Sequence, residues 1–225
     1  IFGINQDKEG NLWFATYDGL NKYDGYNFTV YRHQYKKANS IANDITRCIV
    51  VDDDNRIWIG TLDGLSLYNH RNDEFSNFYY NRKGQNVSIM NIVPIQRDWL
   101  MLGTVEGILL FDIKRGHFLN DTLSTALHLL KPSTLVKQEN SVYIGTEGEV
   151  YTYSLRDGTL KKLVELPTKV RVHGVLCQMF NRIWIATEGS GLYMYDLKTK
   201  ELKNYRYEDG TSGLNSNYVR SLALD

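Results

Sequence analysis

The side chains best suited to chemistry are arginines, acids, tyrosines and amides that recur beside short glycine-bearing turns or just before apolar runs. An arginine with acidic and tyrosine neighbours suits hydrogen bonding to the hydroxyls of a small molecule and stacking against its apolar face. An alternative stays open for each residue, because an acid can merely satisfy a tight turn and an arginine can pair with it. The candidate binding residues are Tyr17, Asp18, Asn43, Arg47, Asp63, Glu106, Arg171, His173, Glu188, Asn217, Tyr218 and Arg220.

Motifs for catalysis or metal binding are missing from the sequence. It has no HExxH, GxSxG, P-loop or CxxC, and its five histidines lack a metal-ligand spacing. The acidic run Asp52-Asp53-Asp54 lacks the glycine that a calcium loop needs at its sixth position, so we interpret it as a solvated hairpin turn. The sequence predicts no catalytic residue, no metal and no cofactor.

The charge balance narrows the possible partners. The chain has 26 basic and 26 acidic residues, so it has no net field to attract nucleic acid or an anionic membrane. No apolar stretch approaches the length of a membrane-spanning helix. We therefore expect this segment neither to contact nucleic acid nor to insert into a membrane.

A repeated pentapeptide organises the whole chain. Versions of it occupy residues 12–16, 57–61, 100–104, 142–146 and 183–187, and its terminal threonines are 41 to 45 residues apart. Periods of this length indicate stacked structural repeats. The threonines that mark the repeats are Thr16, Thr61, Thr104, Thr146 and Thr187.

The pattern around each pentapeptide predicts four strands. An apolar strand and a polar turn precede it, an acid-glycine turn and a second apolar run follow it, and a more polar outer strand closes the repeat. Four antiparallel strands per repeat make a β-propeller blade. We predict an all-β chain of five blades, at about 1–44, 45–87, 88–130, 131–169 and 170–213, with the first strand of a sixth blade in 214–225.

Bulky residues stand three positions before each marker threonine. A four-stranded sheet with two apolar faces cannot cover both alone and must stack on its neighbours. We assign these side chains to packing between blades rather than to a ligand. They are Trp13, Trp58, Met101, Tyr143 and Trp184.

The best-preserved repeats resemble a known family. Residues 6–16 read QDKEGNLWFAT and are followed by DGL at 18–20, the pattern recurs in 52–68, and 181–187 keep NRIWIAT. This resembles the two-component regulator propeller repeats in the periplasmic sensor regions of bacterial hybrid two-component receptors. The third and fourth blades depart most from it, since both lack the tryptophan and the aspartate-glycine pair.

The resemblance implies a function for a longer parent protein. Tandem propellers of this kind lie in the periplasm, detect a nutrient such as an oligosaccharide, and drive a histidine kinase fused to a response regulator. Its partners would be that ligand and the neighbouring propeller and downstream domains of the same parent chain. No kinase motif is found here, so we expect no enzymatic activity from this segment. A protein-binding scaffold is the main alternative, and a propeller polysaccharide lyase or hydrolase the next.

Two further expectations follow from the propeller fold. The family's propellers usually close with about seven blades, so five blades would form an open arc with uncovered apolar faces, prone to self-association. Propellers usually bind ligands on the face that carries the turns between second and third strands and the loops entering each first strand. The candidate residues, together with Glu147, lie in those turns and loops.

Overall fold

The computed structural model describes residues 1–82, 84–119, 125–178, 181–207 and 213–223. The chain divides into two compact units, residues 1–129 and 130–225. Three four-stranded antiparallel sheets lie in unit 1 and two in unit 2, and in every one the strands follow chain order. The predicted all-β class and the count of five blades are confirmed.

Unit 1 begins with β1 (Gly3–Gln6), β2 (Leu12–Ala15), β3 (Leu20–Tyr23) and β4 (Phe28–Tyr31). Its second sheet contains β5 (Thr46–Val51), β6 (Ile57–Thr61), β7 (Gly64–Asn69) and β8 (Glu74–Phe78). A hairpin of β9 (Asn81–Arg82) and β10 (Gln85–Asn86) leads to the third sheet. That sheet consists of β11 (Ile89–Gln96), β12 (Trp99–Thr104), β13 (Gly107–Asp112) and β14 (His117–Phe118), followed by the short helix α1 (Thr125–Leu129).

Unit 2 contains the fourth and fifth sheets. The fourth has β15 (Thr134–Gln138), β16 (Ser141–Gly145), β17 (Glu149–Ser154) and β18 (Leu160–Glu165). The fifth has β19 (Val172–Gln178), β20 (Arg182–Thr187), β21 (Leu192–Asp196) and β22 (Leu202–Tyr205). Within 213–223, the part of the predicted sixth blade that the structure describes, Tyr218 forms an isolated antiparallel bridge with Glu188 and no strand is present. No helix in the described residues has the length and apolarity needed to cross a membrane.

The turn between second and third strands requires glycine at one position. Gly64 has a φ of 129°, a value that residues with a Cβ rarely adopt. A Cβ there would also lie 2.6 Å from the carbonyl oxygen of Phe78. The aspartate-glycine pair in the sequence is therefore a backbone requirement of this turn.

The tryptophans of the pentapeptides fill the spaces between sheets of unit 1. Trp13 is fully buried, belongs to one core cluster with Ile49 and Ile59, and lies 4.8 Å from the ring of Tyr68. Trp58 packs in the same way against residues of the third sheet, with its ring 5.7 Å from that of Phe111. The predicted packing role is confirmed for these two residues. In unit 2 the equivalent Tyr143 and Trp184 are only partly buried.

An acid at the hairpin between first and second strands holds each of these tryptophans. Asp7 accepts a hydrogen bond from the Trp13 indole at 2.7 Å, and Asp52 accepts one from the Trp58 indole at 3.0 Å. Burial opposes ionisation of Asp7, but the hydrogen bonds from Trp13 and Asn11 outweigh it and lower its pKa. Asp52 is buried, so our interpretation of its acidic run as solvated was wrong at this residue. It holds for the exposed Asp54.

Candidate functional site

The marker threonines organise one end of every sheet, which we call the turn end. It contains the turn between second and third strands and the start of the next first strand. The threonine hydroxyl closes the turn, as when Thr61 donates to the carbonyl of Gly64 at 3.0 Å. The threonine carbonyl accepts the first amide of the following strand, as the amides of Thr46 and Val172 donate to Thr16 and Thr146 at 2.9 and 3.1 Å. The amide of Val219, which lies outside any strand, donates to Thr187 in the same way at 3.0 Å.

A β-bulge follows that first amide in three sheets. The strand registers shift between Thr46 and Cys48, between Ile89 and Asn91, and between Val172 and Gly174. A bulge leaves one residue out of the ladder and re-aims its side chain, and bulges often lie next to functional sites. The unpaired residues are Arg47, Met90 and His173, and Arg220 follows Val219 at the same position. Arg47, His173 and Arg220 therefore occupy equivalent positions of the repeat.

Two predicted residues of unit 1 meet at the first of these bulges. The guanidinium of Arg47 lies 5.6 Å from the ring centre of Tyr17 and 5.1 Å from that of Phe2. The two rings contact each other edge to face, with centres 4.5 Å apart. Arg47 Nε is buried, and no described residue forms a hydrogen bond with it. Phe2, at the start of the predicted first blade, is a further candidate residue that sequence reasoning missed.

The acid of the first turn has a structural role. Arg32 donates two hydrogen bonds to the Asp18 carboxylate, at 2.8 and 2.7 Å, and these lower the pKa of Asp18. In the second sheet Tyr79 replaces Arg32 over the turn glycine. Asp63 therefore keeps its carboxylate for Asn43, which donates to it at 2.7 Å.

A cleft of about 540 Å³ brings the predicted Asp63 and Glu106 together. Its volume falls within the range of about 300 to 1,000 Å³ that is typical of small-molecule sites. Leu62 and Val105, which are 37% and 58% exposed, add apolar surface to it. The remaining lining residues are Gln85, Asn86, Val87 and Ser88, on and after the β9–β10 hairpin. Sequence reasoning missed Gln85 and Asn86, although the Gly84 turn signal stands beside them.

The predicted residues of unit 2 form a charged group at its turn end. Arg171 and Tyr218 each form a backbone bridge, to Glu147 and Glu188 respectively, and the Glu188 amide donates to the Arg171 carbonyl at 3.0 Å. His173 Nε2 lies 3.9 Å from a Glu188 carboxylate oxygen and forms no hydrogen bond within the part of the chain that the structure describes. Burial lowers the pKa of His173; Glu188 opposes this, and Arg171 and Arg220 add to it. His173 is thus mainly neutral at pH 7.

Asn217 serves the backbone. Its carbonyl accepts the amides of Gly189 and Gly191 at 3.1 and 2.8 Å, and its side chain accepts the amide of Tyr207 at 2.8 Å. Asn217 thereby holds the turn of Gly189 to Gly191 between the second and third strands of the fifth sheet.

The turn acids of the two units are not equivalent. Asp18, Asp63 and Glu106 stand two residues after the marker threonine, whereas Glu147 and Glu188 directly follow it. In unit 1 the position directly after the threonine is occupied by the exposed residues Tyr17, Leu62 and Val105. Unit 1 therefore presents apolar surface where unit 2 presents carboxylates. In neither unit do the described residues contain a group of three or more histidine, cysteine or acidic side chains that could hold a metal ion.

Comparison with known proteins identifies the class. A family model described as the two-component regulator propeller matches residues 1–18 and 39–63. Histidine kinase P4 of Formosa agariphila is 48% identical over 42 residues, which cover 19% of this chain and 3% of the kinase. The extracellular domain of a protein assigned as a hybrid two-component system of B. thetaiotaomicron is 26% identical, with a TM-score of 0.64, over all of this chain and 37% of that one.

A third relative shares the fold. PorZ, a surface component of the type-IX secretion system of Porphyromonas gingivalis, is 18% identical with a TM-score of 0.72 over 99% of this chain and 35% of PorZ. The sheets and these neighbours define a β-propeller segment. Its first repeats match the model of the two-component regulator propeller, and the chain is similar to the extracellular domain of a hybrid two-component system. The chain spans about a third of that domain and a small fraction of the matched kinase.

Proposed function

We propose that this chain is a periplasmic, ligand-sensing propeller segment of a hybrid two-component receptor that detects an oligosaccharide. The observation that carries the proposal is the cleft of unit 1, where predicted turn acids and amide side chains share one open space with exposed apolar residues. The similarity of the chain to the extracellular domain of a hybrid two-component system supports the assignment to a receptor. A kinase in the parent protein would supply catalysis, and this segment would supply recognition.

The composition of the cleft suits a neutral sugar ring. Carboxylates accept hydrogen bonds from hydroxyls, and the amides of Gln85 and Asn86 can both donate and accept. Leu62 and Val105 offer apolar surface to the C–H face of the ring. Because Asp63 is already oriented by Asn43, its carboxylate loses little freedom when a ligand binds.

A binding screen tests the proposal. The chain, and the whole extracytoplasmic region of its parent, would be titrated with neutral oligosaccharides by calorimetry. We expect the Asp63→Asn and Glu106→Gln variants to bind at least about tenfold more weakly, since a hydrogen bond to a charged group contributes about 1.5 to 3 kcal/mol. Asp54→Asn, at the opposite end of the second sheet, is the matched control. Binding that is equal in all variants would contradict the assignment of the cleft.

A protein-binding function has one observation in its favour. Ile4 and Phe28 of the first sheet are 58% and 62% exposed, whereas the equivalent Ile49 and Phe75 of the second sheet are 9% and 6% exposed. An apolar face of this kind favours association. We expect the isolated chain to self-associate through this face, and light scattering should show less association for Phe28→Lys. A clean monomer of the unaltered chain would contradict this.

A further inference from the structure

Arg47 carries a charge that the described residues leave unpaired. It forms no hydrogen bond or ion pair with any of them, and its Nε is fully buried. A buried or half-buried charge normally has a partner, because removing it from water without one is costly. Asp18 follows Tyr17 in the chain, but its carboxylate already accepts two hydrogen bonds from Arg32. It is therefore not available to pair with the charge of Arg47.

The aromatic contacts of Arg47 occupy only part of its binding capacity. Phe2 and Tyr17 lie 5.1 and 5.6 Å from the guanidinium carbon, within the range of cation–π contacts. The N–H donors of a guanidinium lie in its plane and form a fork that matches a carboxylate or sulfate. The two rings therefore restrain the group without supplying an acceptor for its donors.

The position of Arg47 in the repeat gives independent support. It is the residue that the bulge of the second sheet leaves out of the ladder, and His173 is its counterpart in unit 2. Both side chains keep a buried nitrogen for which the described residues supply no hydrogen-bond partner. Polar atoms of this kind are rare in folded proteins, and each one calls for a reason. An unpartnered polar nitrogen at two of the three bulges, the other of which holds Met90, indicates that the position serves a ligand rather than the core.

We propose that Arg47 binds an anionic group of the ligand, a carboxylate or a sulfate ester on a sugar, while the exposed ring of Tyr17 packs against that sugar. This proposal deepens the proposed function. It rests on that function for the expectation that the ligand is a sugar, whereas the anion contact is argued from Arg47 itself. The segment would accordingly select acidic oligosaccharides over neutral ones. The turn end of unit 1 would recognise the acidic substituent at the bulge and neutral hydroxyls in the cleft.

Small acidic sugars test the anion contact directly. The chain would be titrated with glucuronate, glucose 6-sulfate and glucose, and followed by calorimetry and by the NMR signal of the Arg47 Nε–H. We expect both acidic probes to bind and shift this signal, with affinity that falls as salt rises, and glucose to leave it unchanged. Binding of only one acidic probe would identify the anion as carboxylate or as sulfate ester.

The variants separate the charge from the packing. Arg47→Met keeps an apolar stem against Phe2 and Tyr17, and its affinity for the acidic probes should be at least about tenfold lower. Arg47→Lys keeps the charge without the planar fork and should bind with intermediate affinity. Arg97→Met, which removes an exposed arginine paired with Asp54, should bind like the unaltered chain.

The outcomes distinguish this inference from the proposed function. Acidic probes that bind through Arg47, with no oligosaccharide binding at the cleft, would uphold the anion site and refute oligosaccharide sensing there. Oligosaccharide binding that depends on Asp63 but not on Arg47 would uphold oligosaccharide sensing at the cleft and refute the anion site. Failure of every acidic probe to bind, equal binding by Arg47→Met, or an equal response to glucose would overturn the anion site.

Discussion

The two ends of a blade's first strand differ in how strictly they are repeated. At the hairpin end, Asp7 with Trp13 and Asp52 with Trp58 form the same buried hydrogen bond. At the turn end, one bulge position holds arginine, methionine or histidine. In these first two sheets the hairpin end must hold a tryptophan against the neighbouring sheet, so packing restricts it, whereas Met101 and Tyr143 replace that tryptophan in the third and fourth sheets. The turn end has a fixed backbone but leaves its side chains free to vary, as a binding surface requires.

The largest expected effect is at the hairpin end. Trp58→Ala removes a fully buried aromatic residue shared by two sheets and should lower the free energy of unfolding by about 3 to 5 kcal/mol in a denaturant titration. Trp184→Ala is the matched control, because its side chain is only partly buried. If the two variants lose the same free energy of unfolding, the buried position has no larger packing role than the partly buried one, and the prediction is wrong.

The second effect concerns the acid that holds the tryptophan. Asp52→Ala leaves the buried Trp58 indole N–H without its acceptor and should cost about 1 to 3 kcal/mol. Asp54→Ala, two residues away, removes only exposed contacts to Arg56 and Arg97 and should stay within about 0.5 kcal/mol. Similar losses for both would mean that the Asp52 hydrogen bond contributes nothing of its own.

The third effect is a pH dependence at the turn end of unit 2. The pKa of His173 is lower in the folded chain than its ordinary value of about 6.5, so the unfolded chain binds more protons in this range. The contribution of His173 to stability is therefore complete above about pH 6.5. It is lost as the pH falls toward the folded pKa. Unfolding titrations at several pH values should show this slope, and His173→Gln should remove it. If the slope is unchanged in His173→Gln, groups other than His173 cause the pH dependence of stability.

The smallest expected effect on stability is at the bulge of unit 1. Arg47→Met removes a buried nitrogen that none of the described residues hydrogen-bonds and keeps an apolar stem, so the free energy of unfolding should change by no more than about 0.5 kcal/mol. Denaturant titration measures this. A loss as large as that of Asp52→Ala would erase the contrast between the two ends and make Arg47 a structural residue.

The sequence by itself determined the repeat, the four-stranded blade and the packing tryptophans. These features follow from local patterns, because strand alternation, turn glycines and a period of 41 to 45 residues are written along the chain. It also indicated which turns would carry polar side chains. The repeat of Asp, five residues and Trp was visible too, but only the structure showed that the acid is buried.

Only the tertiary structure decided which candidates act on each other. Asp18 and Asp63 look alike in sequence, but Arg32 neutralises the first and a tyrosine takes the place of that arginine beside the second. The contact of Phe2 with Arg47 joins residues 45 positions apart. A bulge likewise depends on the register between two strands, which single residues do not encode. Pairings of this kind arise from the packing of neighbouring sheets, so they appear only when the chain has folded.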